Sequence, residues 1–192
     1  NLSHLNHVAR AMQSICEGEI DQYEQKYKIQ TVVDYLKRIQ RKSALLFAMS
    51  TTIGAQESGC SRKISKAIGL YGLYFGIAFQ IYDDLLDYTN TSENIGKPIG
   101  NDIQEGNYTL PLLYALNDPT YSTAIRDLLS KKEKITTEDI KTIIDYVNTT
   151  DAIHQSTQLA CRFIEKAREQ LDILPNKLAL IYFHQLLDNL FP

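Results

Sequence analysis

The sequence lacks the patterns of several common functional classes. Its three cysteines, Cys16, Cys60 and Cys161, form an odd set without the spacing of zinc ligands, so reduced and buried or incidental thiols are expected. Twenty Lys and Arg residues against 23 Asp and Glu give a net charge of −3, which leaves no basic field for nucleic acid. Neither a Ser/His/Asp arrangement nor a phosphate-binding P-loop is present.

Long hydrophobic runs and strand patterns are also missing. No uninterrupted apolar run reaches the length of a membrane span, and no signal peptide is visible. Alternating apolar and polar residues of the strand type do not occur, and there is no internal repeat, low-complexity tract or domain linker. These absences predict a cytoplasmic, all-α protein with a single domain over residues 1–192, long enough to bury a sizeable core.

Apolar periodicity and capping residues indicate where the helices lie. One helix is expected over about residues 3–27 and a second over about 31–53, before a break at 58–61. A third helix then carries the acidic stretch described below. Thr109 is an expected N-cap, and Thr136-x-x-Asp139 is typical of a capping box that opens an amphipathic helix.

Three carboxylates stand inside an otherwise apolar, helix-forming stretch. Asp83, Asp84 and Asp87 follow Gln80 in FQIYDDLLD. On a helix Asp83 and Asp87 lie one above the other, with Asp84 about 100° away in rotation and Gln80 on the same face. Like charges on a buried face repel and are costly to desolvate, so a cation must compensate them. Carboxylate oxygens suit Mg²⁺; the alternative is a solvated acidic patch at a helix end.

A glycine-rich segment, GKPIGNDIQEG, follows the acidic helix. Its glycines predict a flexible loop that ends at the start of the next helix. Lys97 offers a cation to phosphate oxygens, and Asp102 can position it. An acidic helix followed by a loop lysine supplies both halves of a magnesium–diphosphate site.

These segments together resemble the trans-isoprenyl diphosphate synthase family. FQIYDDLLD, GKPIGND and EGNYTLPLL are similar to its second aspartate-rich region, RKS at 41–43 to its Lys-Thr segment, and GEIDQ at 18–22 to its Gly-Glu-x-x-Gln segment. The resemblance covers essentially the whole chain. It is strongest to long-chain polyprenyl synthases, particularly the larger component of bacterial heptaprenyl diphosphate synthases, and Asn107 stands where many relatives carry Lys.

The resemblance implies a fold and a reaction. The fold is an all-α, isoprenoid-synthase-type helical bundle around a central cavity. The reaction is electrophilic prenyl transfer, in which Mg²⁺ and lysines stabilise the leaving diphosphate of an allylic substrate and isopentenyl diphosphate attacks the allylic cation. The expected product is a medium- or long-chain polyprenyl diphosphate for isoprenoid or quinone side-chain biosynthesis. A homodimer is expected, with or without a small second component.

The resemblance also assigns site residues. They are Asp83, Asp84 and Asp87 for metal binding and catalysis, Lys42 and Lys97 for catalysis and diphosphate binding, and Ser43, Gln80 and Gln22 for substrate binding.

Spacing alone gives Lys42 a different interpretation. It lies at the edge of an apolar stripe on the second helix, where a lysine usually extends to solvent. The residues of that stripe are Val32, Leu36, Ile39, Ser43, Leu46 and Ser50. In relatives the matching lysine reaches the allylic diphosphate, and Ser43 keeps the hydroxyl of the commoner Thr.

Glycines on the acidic helix leave two interpretations open. Gly69, Gly72 and Gly76 fall on nearly the same arc as Gln80 and Asp83. The arc predicts either close packing against another helix, which glycine permits, or a slot for a growing polyisoprenoid tail.

The family's first aspartate-rich motif and its segments for isopentenyl diphosphate have no counterpart in the sequence. We therefore expect the chain to be the C-terminal part of a synthase whose N-terminal part is missing, and to be inactive when made alone. A non-catalytic, prenyl-synthase-like partner subunit and a terpene cyclase of the same fold are the alternatives. A product assay with isopentenyl diphosphate separates the synthase from the cyclase.

Overall fold

The structure, a computed structural model, describes residues 2–89, 99–175 and 177–190, and these form helices and turns without a β-strand. The elements are α1 (Leu2–Glu24), α2 (Val32–Ile39), a π-helix (Gln40–Ala44), α3 (Leu45–Glu57), α4 (Arg62–Thr89), α5 (Asn101–Gln104), α6 (Leu110–Ala115), α7 (Ser122–Leu129), a 3₁₀-helix (Lys132–Lys134), α8 (Thr137–Thr149), α9 (Ala152–Glu169) and α10 (Lys177–Asp188). The all-α prediction is confirmed.

The chain divides into two compact units. Unit 1 comprises Asn1–Ile20, Leu36–Tyr82 and Leu159–Pro192, and unit 2 comprises Asp21–Tyr35 and Asp83–Gln158. Helix α4 is continuous through the boundary, so its apolar first part belongs to unit 1 and its acidic end to unit 2. The single domain expected from the sequence stays a prediction.

The core of unit 1 is built by α4, α9 and α10. Its buried members are Ile68, Tyr71, Ala78, Ile164, Ala167, Leu171, Leu187 and Leu190. The Tyr71 hydroxyl donates a hydrogen bond to the Phe183 carbonyl at 2.9 Å, so the one polar atom of this large side chain is satisfied inside the core. This packing fixes the apolar part of α4.

Unit 2 packs around α8, whose start and buried face agree with the sequence. Thr136 and Asp139 form the expected capping box, and the apolar residues at helical spacing are buried: Ile140, Ile143, Ile144 and Val147. Asn148 follows Val147 directly, and its side-chain amide donates to the Tyr88 carbonyl at 3.0 Å. Helix α8 therefore holds the end of α4 inside unit 2.

Thr109 differs from its expected role. It occupies the N-cap position of α6, but its side chain makes no cap hydrogen bond. Its hydroxyl instead lies 3.1 Å from the Tyr88 hydroxyl, and both groups are buried. A buried hydroxyl needs a hydrogen-bond partner. The Thr109 hydroxyl pairs with that of Tyr88 and therefore does not cap the helix.

The expected second helix contains a π-turn that the sequence did not predict. The π-helix at 40–44 separates α2 from α3, and a π-turn holds one more residue than an α-turn. Beyond it the inward stripe moves by one position. Gly76 and Gly72 of α4 face Ala44, Phe47 and Thr51, and each of these lies one position later than the expected Ser43, Leu46 and Ser50. Leu46, which was expected inside, is 48% exposed.

The glycine arc of α4 is a packing seam in unit 1. A Cβ at Gly76 would lie 2.7 Å from Ala44 Cα and 2.8 Å from the Phe47 ring, and one at Gly72 would lie 2.7 Å from the Phe47 carbonyl oxygen. Such distances are shorter than any side chain tolerates without movement of the backbone. The packing interpretation is confirmed, since the arc is filled by α3 and the π-helix.

Helix α4 is, within the described residues, the one helix long and apolar enough to cross a membrane by length and composition. The sequence itself predicts no membrane span. Half of its most apolar stretch is buried within the protein, and it packs in the core of unit 1. We interpret α4 as a core helix.

The packing seam predicts the effect of the smallest added side chain. Replacing Gly76 with Ala should lower the free energy of unfolding by about 1–3 kcal/mol, because the methyl group overpacks the contact with Ala44 and Phe47. Denaturant unfolding of the protein measures this. Gly54→Ala is the control, because a Cβ there meets no atom within 4 Å and Ala favours a helix by up to about 1 kcal/mol. Equal stability of the Gly76→Ala variant and the parent would contradict the seam.

Candidate diphosphate and metal site

The end of α4 presents its acidic residues in different environments. Asp83 is exposed, Asp84 is only 6% exposed, and Asp87 and Gln80 are half-buried. The sequence predicted one shared buried face. The structure separates Asp84 from the other two because a rotation of about 100° from Asp83 turns its side chain towards the interior.

Asp84 forms a buried hydrogen bond with α2. The Tyr35 hydroxyl donates to Asp84 Oδ2 at 2.7 Å, and Tyr35 is fully buried. A carboxylate removed from water is tolerated only when hydrogen bonds replace its hydration. Sequence reasoning gave Tyr35 no role, because the two residues are 49 positions apart and nothing in the local pattern joins them.

Asp87 is held by the start of α5. Its Oδ1 accepts the backbone N–H of Gly100 at 3.1 Å, and its Oδ2 accepts that of Asp102 at 3.3 Å. Gly100 has φ +77°, and a Cβ there would run into Ile140, so only glycine allows this approach of the backbone. Burial raises the pKa of Asp87, Asp83 adds repulsion, and the backbone donors of Asp102, Gly100 and Asn101 partly offset the rise.

Asp102 extends the acidic group beyond the helix. Burial, and after it the negative charges of Asp84, Asp87, Glu105 and Asp83, together raise the pKa of its carboxyl to about 7. The sequence predicts that Asp102 positions Lys97. Lys97 lies outside the described residues, so that pairing stays a prediction. Asp102 is half-buried where α5 meets α4, and no local pattern of the sequence predicts this contact.

Lys42 lies in the π-helix and pairs with α1. Its ammonium nitrogen is 3.0 Å from Glu19 Oε1, and the two side chains are 34% and 52% exposed. Gly18 permits the approach, since a Cβ there would lie 3.2 Å from the Lys42 backbone nitrogen. The segments 18–22 and 41–43, quoted above for their resemblance, thus meet in unit 1 at Gly18 and Glu19. Glu19 lies in the first of these segments, but no local pattern predicts its contact with Lys42.

Ser43 contacts Gln80 in the same unit. The Ser43 hydroxyl donates to the Gln80 side-chain oxygen at 2.6 Å, which joins two residues that the sequence placed in one substrate site. Gln22 is half-buried in the last full turn of α1. Its proposed substrate contact stays a prediction.

The described residues do not build a complete metal cage. Across 2–89, 99–175 and 177–190, no group of three or more Asp, Glu, His or Cys side chains could hold a metal ion. The donors available are the carboxylates of Asp83 and Asp87, one helical turn apart. Mg²⁺ is commonly bound in this way, by one or two carboxylates with water and substrate phosphates as the remaining ligands. The donor set fits an ion shared with a diphosphate.

A protein-family model described as polyprenyl synthetase matches residues 1–147 of the chain. Heptaprenyl diphosphate synthase component 2 of Bacillus subtilis is 41% identical over 169 residues, which cover 88% of this chain and 48% of the relative. The chain spans about half the length of the curated relatives it matches.

Solved structures of the same kind superpose on the chain. Heptaprenyl diphosphate synthase from Staphylococcus aureus gives a TM-score of 0.90 at 28% identity, covering 98% of this chain and 60% of that one. A polyprenyl synthase from Caulobacter crescentus, complexed with calcium and isoprenyl diphosphate, gives 0.91 at 31% identity, covering 99% and 58%. The all-α isoprenoid-synthase fold expected from the resemblance is confirmed.

The raised pKa of Asp102 predicts how stability varies with pH. Between the ordinary pKa of 3.8 and the folded value of about 7, the folded protein keeps a proton that the unfolded chain has lost. Stability therefore falls as pH rises through this range, by at most about 4 kcal/mol for this group. Asp102→Asn should stabilise the metal-free protein more at pH 8 than at pH 5 in urea unfolding. Asp145→Asn, on the exposed side of α8, is the control, and an equal effect of Asp102→Asn at both pH values would contradict the assignment.

Proposed function

Because the chain belongs to the polyprenyl synthetase family, we propose that it carries the second aspartate-rich half of a prenyl-transfer site. The reaction joins an allylic diphosphate to isopentenyl diphosphate and yields a polyprenyl diphosphate of medium or long chain. The proposal rests on the carboxylate pair at the end of helix α4, where Asp83 is exposed and Asp87 is half-buried.

Asp83 and Asp87 would hold Mg²⁺ on one side of the diphosphate. When bound, the ion supplies neutralisation of the charge that develops on the leaving group. Asp87 is already fixed by two backbone N–H groups, so one ligand is oriented before substrate arrives. Asp84 belongs to the same motif, and its bond to Tyr35 makes it the buried member of the set.

Lys42 would give the allylic diphosphate a positive charge. Glu19 holds the ammonium group at 3.0 Å while a third of the lysine side chain stays exposed, so the cation is restrained but open to a ligand. The hydrogen bond from Ser43 orients the Gln80 amide on α4. Similar roles for Lys97 and Gln22 follow from the family resemblance and are part of the proposal.

The assembly is also a proposal. The name of the Bacillus relative describes it as a component of its enzyme, which supports a second component for this protein. A homodimer follows from the family resemblance, and a cytoplasmic location agrees with the composition of the sequence.

The metal assignment predicts that Asp83 is indispensable. Asp83→Ala in the complete enzyme should lower turnover by orders of magnitude and leave the melting temperature nearly unchanged, because an exposed side chain contributes little to the fold. The measurement is incorporation of labelled isopentenyl diphosphate at saturating Mg²⁺. Asp145→Ala, which removes an exposed aspartate of α8, should be fully active. Near-normal turnover of the Asp83→Ala variant would refute the metal site.

The lysine assignment predicts a loss confined to one substrate. Lys42→Ala and Lys97→Ala should each reduce kcat/KM for the allylic diphosphate about tenfold to hundredfold, since a charge-assisted hydrogen bond contributes about 1.5–3 kcal/mol. Initial rates at varied allylic diphosphate measure the effect, and Lys141→Ala on the exposed side of α8 is the control. If both variants used the allylic diphosphate as well as the parent enzyme, the lysines would extend to solvent and would not bind the diphosphate.

A further inference from the structure

We propose that Tyr35 is a positioning residue for the metal-binding carboxylates, because it holds Asp84 inside the protein and so presents Asp83 and Asp87 as the ligand pair. The inference rests on the proposed function and assigns unequal roles to the three aspartates. Asp84 is an anchor, and the other two supply the ligand atoms.

The contact between Tyr35 and Asp84 is short and shielded from water. The hydroxyl and carboxylate oxygens are 2.7 Å apart, while Tyr35 is 0% and Asp84 6% exposed. Water therefore cannot replace the hydroxyl if it is removed. A bond to an ionised acceptor is stronger than a neutral one, so this contact selects one orientation of the Asp84 side chain.

The orientation of Asp84 determines what the other two aspartates face. Successive residues of an α-helix are about 100° apart, so a helix that turns Asp84 inward turns Asp83 outward, where it is exposed. Asp87, one turn beyond Asp83, is bound on the other side by the N–H groups of Gly100 and Asp102. Two independent contacts, one from α2 and one from α5, thus fix the rotation of the acidic end of α4.

A second buried tyrosine provides a matched comparison. Tyr88 is 2% exposed and sits one turn beyond Asp84 on the same helix, but its hydroxyl pairs with the Thr109 hydroxyl at 3.1 Å. Tyr35→Phe and Tyr88→Phe each delete a single buried hydroxyl in unit 2. Only the first deletion removes a donor from a carboxylate of the motif.

The test measures metal binding apart from turnover. Mn²⁺ is titrated into the complete enzyme with inorganic diphosphate present, and free Mn²⁺ is followed by electron paramagnetic resonance. Tyr35→Phe should weaken Mn²⁺ binding about tenfold or more, the scale of effect that outer-shell residues have on metal affinity, while Tyr88→Phe should leave it unchanged. In turnover, Tyr35→Phe should raise the Mg²⁺ concentration for half-maximal rate more than it lowers the rate at saturating Mg²⁺.

Two outcomes would overturn the inference alone. In the first, the Tyr35→Phe variant binds Mn²⁺ as tightly as the parent. In the second, both tyrosine variants weaken Mn²⁺ binding equally, which would indicate a general loosening of unit 2. If Tyr35→Phe does not fold, Asp84→Asn decides, because the amide keeps an oxygen for the Tyr35 hydroxyl. It should weaken Mn²⁺ binding less than Asp83→Asn, and an equal loss would make Asp84 a direct ligand. Absence of Mn²⁺–diphosphate binding in the parent enzyme would overturn the proposed function and this inference together.

Discussion

Repulsion among carboxylates at the end of a core helix governs the local structure of unit 2. Burial raises the pKa of Asp102 most, and the charges of Asp84, Asp87, Glu105 and Asp83 add to the rise. Two acids of the group are met by particular donors, a tyrosine hydroxyl for Asp84 and backbone N–H groups for Asp87. The start of α5 thus has a structural role, since its backbone N–H groups are the donors to Asp87. The negative charge that remains is what suits this region to a cation and a diphosphate.

Much of this arrangement follows from local patterns in the sequence. The acidic helix, the capping box of α8 and the absence of strands are short-range features, and the structure agrees with them. The contact between Tyr35 and Asp84 and the burial of Asp102 arise from packing between segments far apart in sequence. Periodicity reports which face of a helix is apolar, but it does not report which side chain of another helix will meet that face.

Helix α4 serves two purposes along its length. Its first part packs glycines against α3 and the π-helix and aromatic residues into the core of unit 1, and its last turns carry the carboxylates. The carboxylates of the last turns are held by contacts within unit 2, from the Tyr35 hydroxyl and the N–H groups of Gly100 and Asp102. Functional sites in general hold charged groups in place at some cost in local stability.

The extra residue of the π-turn at 40–44 determines the direction in which the Lys42 and Ser43 side chains point. Without the extra residue, every side chain from Ser43 onward would rotate by about 100° relative to α2. The hydroxyl that now reaches Gln80 would then occupy the position of its neighbour. A relative with a one-residue deletion between Tyr35 and Lys42 could keep the same Lys-Ser pair, yet both side chains would point in a different direction. In comparisons across the family, the length of this segment therefore carries as much information as the identity of the two residues.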